Sequence, residues 1–316
     1  MMTFKNQYIQ TKKGLTLFTE SAGNPKDPSI ILIMGAMNQG LFWYDSFCGY
    51  LVESGYFVIR YDHRDTGYSS IVNYKESPYD LDDLTDDVLD IMNACSIEKA
   101  HIVGLSMGGY IGQLLGVNYP EKVRTLTLIS TTADHRPYMD ATMGSFNNKY
   151  DLSYPEKQFL DYLVKGRTNP PQTEADARSF ILEGWKVMFG SIDAQDMREI
   201  ARLVELSGKR SRDKYSAFNH GPAVANSKER ISLLRNNKVP VPVYIFHGEK
   251  DPCFPVDHGK YLNELIPDSK LEIIKNMGHM FSLKESRYLS EMIVYNIKGA
   301  LSKGDIVHES KRTRME

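Results

Sequence analysis

The segment Gly104-Leu105-Ser106-Met107-Gly108-Gly109 sets a serine two residues from a glycine on either side, the pattern G-x-S-x-G with one glycine added. Glycines at those positions let the chain turn sharply and hold the serine in a strained conformation with its hydroxyl exposed. The competing reading is a glycine-rich turn with a capping serine. Context favours the chemical one, because a short apolar strand at 101–103 leads in and the helical spacing of Ile111, Leu114 and Leu115 leads out.

A serine hydroxyl is a poor nucleophile at neutral pH, so a base must take its proton and a third group must orient that base. The expected order along the chain is serine, acid, histidine. Asp251 lies in His247-Gly248-Glu249-Lys250-Asp251-Pro252, after the apolar run 241–246, and His279 ends Asn276-Met277-Gly278-His279, after the run 270–274. Both fall at carboxyl ends of strands, so the candidate catalytic residues are Ser106, Asp251 and His279. Of the other acids, Glu249 fits the turn better, and Asp134, just after an earlier strand, is a further alternative. His63, His101, His247 and His258 read as structural. His135 and His220 lie at the margins of an insertion where they could touch substrate, and His308 is in the tail.

Attack on a carbonyl puts negative charge on its oxygen, which preorganised backbone N–H groups stabilise. One donor is expected from Met107, the residue after the nucleophile. The other is expected from the loop Met34-Gly35-Ala36-Met37-Asn38-Gln39-Gly40, where Ala36 is assigned; the competing reading is a plain strand-to-helix loop.

Such residues converge only if strands and helices bring them to one edge. Short apolar runs at 30–34, 57–61, 101–103, 125–129, 241–246 and 270–274 read as buried parallel strands, after an opening hairpin at 8–10 and 15–19. Between them, residues 81–95 show Leu81, Leu84, Val88 and Ile91 at helical spacing, with Asp82, Asp83, Asp86, Asp87 and Asp90 read as a solvated face. The alternation implies an α/β fold with a mostly parallel twisted sheet flanked by helices. From about 132 to 230 it breaks into helical stretches such as 177–189 and 196–206, read as an inserted helical cap. The expected division is a first core part at 1–131, the cap at 132–230 and a second core part at 231–316, with a charged, fraying tail from 302. Tyr138, Met139, Met143, Phe146, Phe180, Trp185, Met188 and Phe189 in the cap suggest an apolar pocket, or the cap's own core.

The chain has 316 residues and a net charge of −2 from 38 basic and 40 acidic side chains, so no long-range field favours nucleic acid or an anionic membrane. Cys48, Cys95 and Cys253 show no metal-type spacing and are odd in number, which fits a reduced, cytoplasmic setting. No signal-like or membrane-spanning apolar run is seen. The expectation is an enzyme needing no metal or organic cofactor, acting on a small-molecule ester as a monomer or homodimer.

With those residues placed, the chain resembles the α/β-hydrolase superfamily across nearly its whole length, least in the cap. The stretch Arg60-Tyr61-Asp62-His63-Arg64-Asp65-Thr66-Gly67-Tyr68-Ser69-Ser70 is similar to the superfamily loop D-x-R-G-x-G-x-S. Its Asp-His-Arg-Asp-Thr-Gly form, with Met34-Gly35 in place of His-Gly, resembles aclacinomycin methylesterase and its relatives. That resemblance implies hydrolysis of a carboxylic methyl ester by Ser106, Asp251 and His279. A cofactor-free perhydrolase or haloperoxidase, or a carbon–carbon bond hydrolase, would keep the same triad. A non-catalytic small-molecule receptor is the alternative from outside enzymology. Met34 departs from the wider pattern and bears on substrate class, while the donor it precedes remains a backbone N–H.

Overall fold

A computed structural model of the chain describes residues 2–146 and 151–312, with side chains through residue 300. The opening hairpin joins β1 (Lys5–Gln10) and β2 (Thr16–Ala22), which pair antiparallel about a turn where Gly14 takes φ +80°. Then follow β3 (Ser29–Ile33), α1 (Asp45–Glu53), β4 (Phe57–Tyr61), α2 (Leu81–Ala94), β5 (Ala100–Leu105), α3 (Met107–Asn118) and β6 (Val123–Ile129). Six helices occupy the described part of the chain before the next strand: α4 (Arg136–Thr142), α5 (Lys157–Thr168), α6 (Glu174–Met188), α7 (Ala194–Arg210), α8 (His220–Ala225) and α9 (Ile231–Asn236). The core resumes with β7 (Val243–Gly248), α10 (Val256–Leu265), β8 (Lys270–Ile274) and α11 (Leu283–Arg312).

The sheet order is β1-β2-β4-β3-β5-β6-β7-β8, parallel from β4 through β8. Every residue of β3, β4, β5 and β7 is buried, which is what a parallel sheet covered on both faces requires. Alternate residues of β3 serve opposite layers. Ile31 and Ile33 pack with Leu84, Val88 and Ile111 from α2 and α3, while Ile30 and Leu32 pack with Phe47, Leu51 and Ile293 from α1 and α11. Burying side chains of this size stabilises the fold by about 1.5 to 3 kcal/mol each.

The topology selects where a site can form. From β3 the chain crosses to β4 on one side and then returns to place β5 on the other. The loops leaving β3 and β5 therefore start at a point where the strand order reverses, the position beyond the carboxyl ends where open α/β sheets place their ligands.

Two sequence expectations change. The acidic side of α2 is only partly solvated: its first turn is closed by a reciprocal capping box between Asp80 and Asp83, but Asp87 and Asp90 are buried. Asp87 accepts Nε and Nη2 of buried Arg64 at 2.8 and 2.7 Å, and Asp90 accepts the Lys12 N–H at 2.9 Å. A buried carboxylate needs such partners, and these come from loops far away in sequence. The tail also continues as helical backbone to Arg312, while residues 313–316 and the side chain of His308 lie outside the described parts.

Candidate active site

Ser106 joins β5 directly to α3 with φ 55° and ψ −117°. A non-glycine residue there costs about 1 to 3 kcal/mol, so its surroundings must hold it. Its N–H donates to the Ile129 carbonyl at 3.0 Å, and its carbonyl accepts Thr131 Oγ1 at 2.8 Å and the Gly109 N–H at 2.9 Å. The turn closes because of two glycines: a Cβ on Gly104 would sit 2.2 Å from the Gly108 carbonyl oxygen, and one on Gly108 would sit 2.1 Å from that of Ile33. The Ser106 hydroxyl has no hydrogen-bond partner among the described residues and stays partly exposed.

Asp251, in the loop after β7, and His279, in the loop after β8, meet directly. His279 Nδ1 lies 3.0 and 2.9 Å from the two Asp251 oxygens. Asp251 also accepts the N–H groups of Cys253 and Phe254, each at 2.9 Å. Burial alone would raise the Asp251 pKa, but the His279 ring beside it, then His247 and the Phe254 N–H, outweigh that and hold it below the usual carboxylate range. Asp251 is therefore a carboxylate at neutral pH. As an acceptor it requires the proton of neutral His279 to be on Nδ1, which leaves Nε2 with a lone pair able to take a proton. The imidazole is also held by its backbone, whose N–H donates to the Met188 carbonyl at 2.8 Å, and by the Phe254 ring set edge-on at 5.4 Å.

The competing acids have other partners. Glu249 accepts the Asn276 N–H at 3.2 Å, and Asp134 forms a two-pronged pair with Arg136 at 2.7 and 2.8 Å. Asp251, Cys253 and His279 place donor atoms within 4.8 Å of one another, a grouping a metal ion could use. Burial pushes the Cys253 thiol well above its ordinary pKa, and Asp251 and His279 are already hydrogen-bonded to each other.

After β3 the chain forms a tight turn, closed by the Asn38 N–H to the Gly35 carbonyl at 3.4 Å, with Met37 at φ 65°. It lies against the serine, since a Cβ on Gly35 would be 3.2 Å from the Ser106 Cβ. Neither the Ala36 N–H nor the Met107 N–H donates to an acceptor among the described residues. Met107 is the first residue of α3, where the helix leaves its N–H groups unpaired.

The structure thus brings Asp251 to His279, and the Gly35–Ala36 turn to Ser106. His135 and His220, expected where substrate could be touched, are buried, and His220 has both ring nitrogens hydrogen-bonded. His135 Nδ1 faces Arg230 Nη1 at 3.4 Å, while His220 reaches the turn after β3, a contact across 183 residues that no local pattern signals. Of the side chains expected in a cap, Tyr138 packs on Phe254 with ring centroids 5.4 Å apart, and Met188 Sδ lies 3.3 Å from Cys253 Sγ. Phe180 stacks on Tyr162, Trp185 stacks on Phe42, and Met143 and Phe146 are exposed.

Comparison with known proteins agrees with this fold. Residues 28–286 match the family model of the α/β hydrolase fold. Over 293 residues the chain is 30% identical to the rhodomycin D methylesterase DauP of Streptomyces sp. strain C5, covering 92% of this chain and 97% of that one. The rhodomycin D methylesterase DnrP of Streptomyces peucetius matches to the same extent. The solved structure of the 2-hydroxy-6-oxo-6-phenylhexa-2,4-dienoate hydrolase of Rhodococcus sp. strain RHA1 aligns with a TM-score of 0.74 at 19% identity, covering 94% of this chain and all of that one. The chain belongs to the α/β hydrolase fold family. Among the described residues, no helix is long and apolar enough to cross a membrane.

Proposed function

We propose that this chain is a serine hydrolase that cleaves a carboxylic methyl ester, with Ser106 as nucleophile, His279 as base and Asp251 as the group that orients it. The observation that carries the reading is the His279–Asp251 pair at 2.9 and 3.0 Å, at the same end of the sheet as the strained Ser106. The methyl-ester assignment rests on the two rhodomycin D methylesterases that share 30% of its residues.

The chemistry follows from these groups. Ser106 Oγ attacks the ester carbonyl carbon while its proton passes to His279 Nε2, and the oxyanion takes hydrogen bonds from the Met107 and Ala36 N–H groups. The carbon–oxygen bond to the methoxy group then breaks, and Nε2 returns the proton so that methanol leaves. Water attacks the acyl-serine, giving its proton to His279, and collapse releases the acid and restores the serine. Asp251 keeps the imidazole in the productive tautomer and stabilises its charged form. Every proton and charge is handled by the protein, so the cycle needs no cofactor or metal. Residues 132–230 act as the cap over this site, with Tyr138 and Met188 on its inner side.

The test is methanol release from a panel of methyl esters. An apolar aromatic acyl group should exceed a charged dicarboxylate half-ester by about tenfold or more in kcat/KM, the scale on which a hydrophobic pocket discriminates. No methanol from any ester, with peroxide-dependent halogenation or carbon–carbon cleavage in its place, would replace this reading with one of those chemistries.

A further inference from the structure

The motif Asp62-His63-Arg64 and the first residue of α8 have no part in the chemistry above, yet both converge on the turn after β3. His63 Nε2 donates to the Met34 carbonyl at 2.9 Å. The Met37 N–H donates to His220 Nδ1 at 2.8 Å, and His220 Nε2 donates to the Arg64 carbonyl at 2.9 Å. The Gly40 N–H donates to Asp62 Oδ1 at 2.9 Å. Both imidazoles are fully buried and sit edge to face, 5.6 Å apart. Their bonds bracket Gly35 and Ala36, neither of whose N–H groups has an acceptor among the described residues.

We infer that His220 is a positioning residue of the oxyanion turn: as an uncharged acceptor it fixes the Ala36–Met37 peptide in the orientation that keeps Ala36 N–H available beside Ser106. This rests on the serine-hydrolase reading. Met37 is not glycine and holds φ 65°, so the turn would relax by rotating that peptide if nothing held its N–H. An imidazole with Nε2–H committed to the Arg64 carbonyl presents an unprotonated Nδ1 to Met37, and no other acceptor among the described residues takes that N–H. The anchorage continues into the insertion. Asn219 Nδ2 donates to Asp65 Oδ2 and to the Val72 carbonyl, both at 3.1 Å, and Ser216 Oγ donates to the Asp65 carbonyl at 2.8 Å. The seating of residues 216–220 on the loop after β4 is thereby linked to the geometry of the turn.

The experiment compares wild type, His220→Leu, which lacks an acceptor, and His220→Gln, which keeps one, in methyl-ester turnover. His220→Leu should lose about 10- to 100-fold in kcat with KM changed less than about twofold, a misdirected donor costing less than the roughly 100- to 1000-fold of a removed one. Affinity for a boronic acid that forms a tetrahedral adduct should fall by the same factor, and His220→Gln should recover most of the loss. A kcat for folded His220→Leu close to wild type, or equal losses in the two variants, overturns the proposal. If His220→Leu does not accumulate, ¹⁵N-histidine spectra of wild type decide: an unprotonated His220 Nδ1 coupled to the Met37 amide supports the assignment, and a protonated Nδ1 overturns it. A wild type with no ester turnover and no labelling by a fluorophosphonate would instead remove the hydrolase reading itself.

Discussion

Replacing His279 with alanine is expected to lower kcat for ester hydrolysis by roughly 10⁵- to 10⁶-fold with little change in KM, because members of a catalytic triad act as a unit. No neighbouring base can stand in. His247 Nε2 is bonded to the Phe254 carbonyl at 2.8 Å, and His258 spends both nitrogens on Thr132 Oγ1 and the Ser153 carbonyl, each at 2.8 Å. Burial lowers the pKa of both rings, which keeps them neutral, and the one nitrogen without a partner, His247 Nδ1, is itself buried. Steady-state kinetics on a methyl ester checks this, with thermal unfolding as the control for folding. A residual rate within about a hundredfold of wild type would mean that another group deprotonates the nucleophile, against the interdependence expected of a triad.

Asp251→Asn should cost on the order of 10⁴ in kcat while leaving substrate binding nearly intact. The carboxylate accepts from Nδ1–H and so keeps Nε2 free; an amide can turn its NH₂ towards the ring and favour the tautomer in which Nε2 carries the proton. The oxygen that meets the Cys253 and Phe254 N–H groups is retained as the amide oxygen, so the loop after β7 should keep its shape. Equal activity of Asp251→Asn and wild type would show that the imidazole needs no anionic partner, and the role given to Asp251 would have to be withdrawn.

The parts of this architecture that could be read from the sequence were those fixed by neighbours in the chain. The run into Gly104 and the helical spacing after Gly108 describe a strand, a turn and a helix within a few residues, and the strands at 57–61 and 270–274 have the bounds that their apolar runs suggest, although 270–274, read as buried, is the edge strand and only Ile274 in it is buried. What escaped depends on contacts across long stretches of chain. A heptad-scale pattern distinguishes the apolar side of α2 from its acidic side, but it cannot say that Arg64 will be folded over Asp87 and bury it. In the same way His220 reads as a polar residue at the edge of an irregular segment. Its partner Met37 becomes visible only once the crossover after β3 and the insertion after β6 are both in place. The aromatics of the insertion after β6 escaped for a further reason: composition reports that apolar side chains exist, while packing decides that Phe180 is taken by Tyr162 and Tyr138 by Phe254.

The most direct measurement is the mass of the protein, and of its tryptic peptides, after inactivation by a fluorophosphonate. One adduct should appear on the peptide carrying Ser106, with turnover lost in proportion to its formation and no adduct in Ser106→Ala, which should also be inactive. An inactivated enzyme whose Ser106 is unmodified, or a Ser106→Ala variant that still releases methanol at the wild-type rate, would contradict the account.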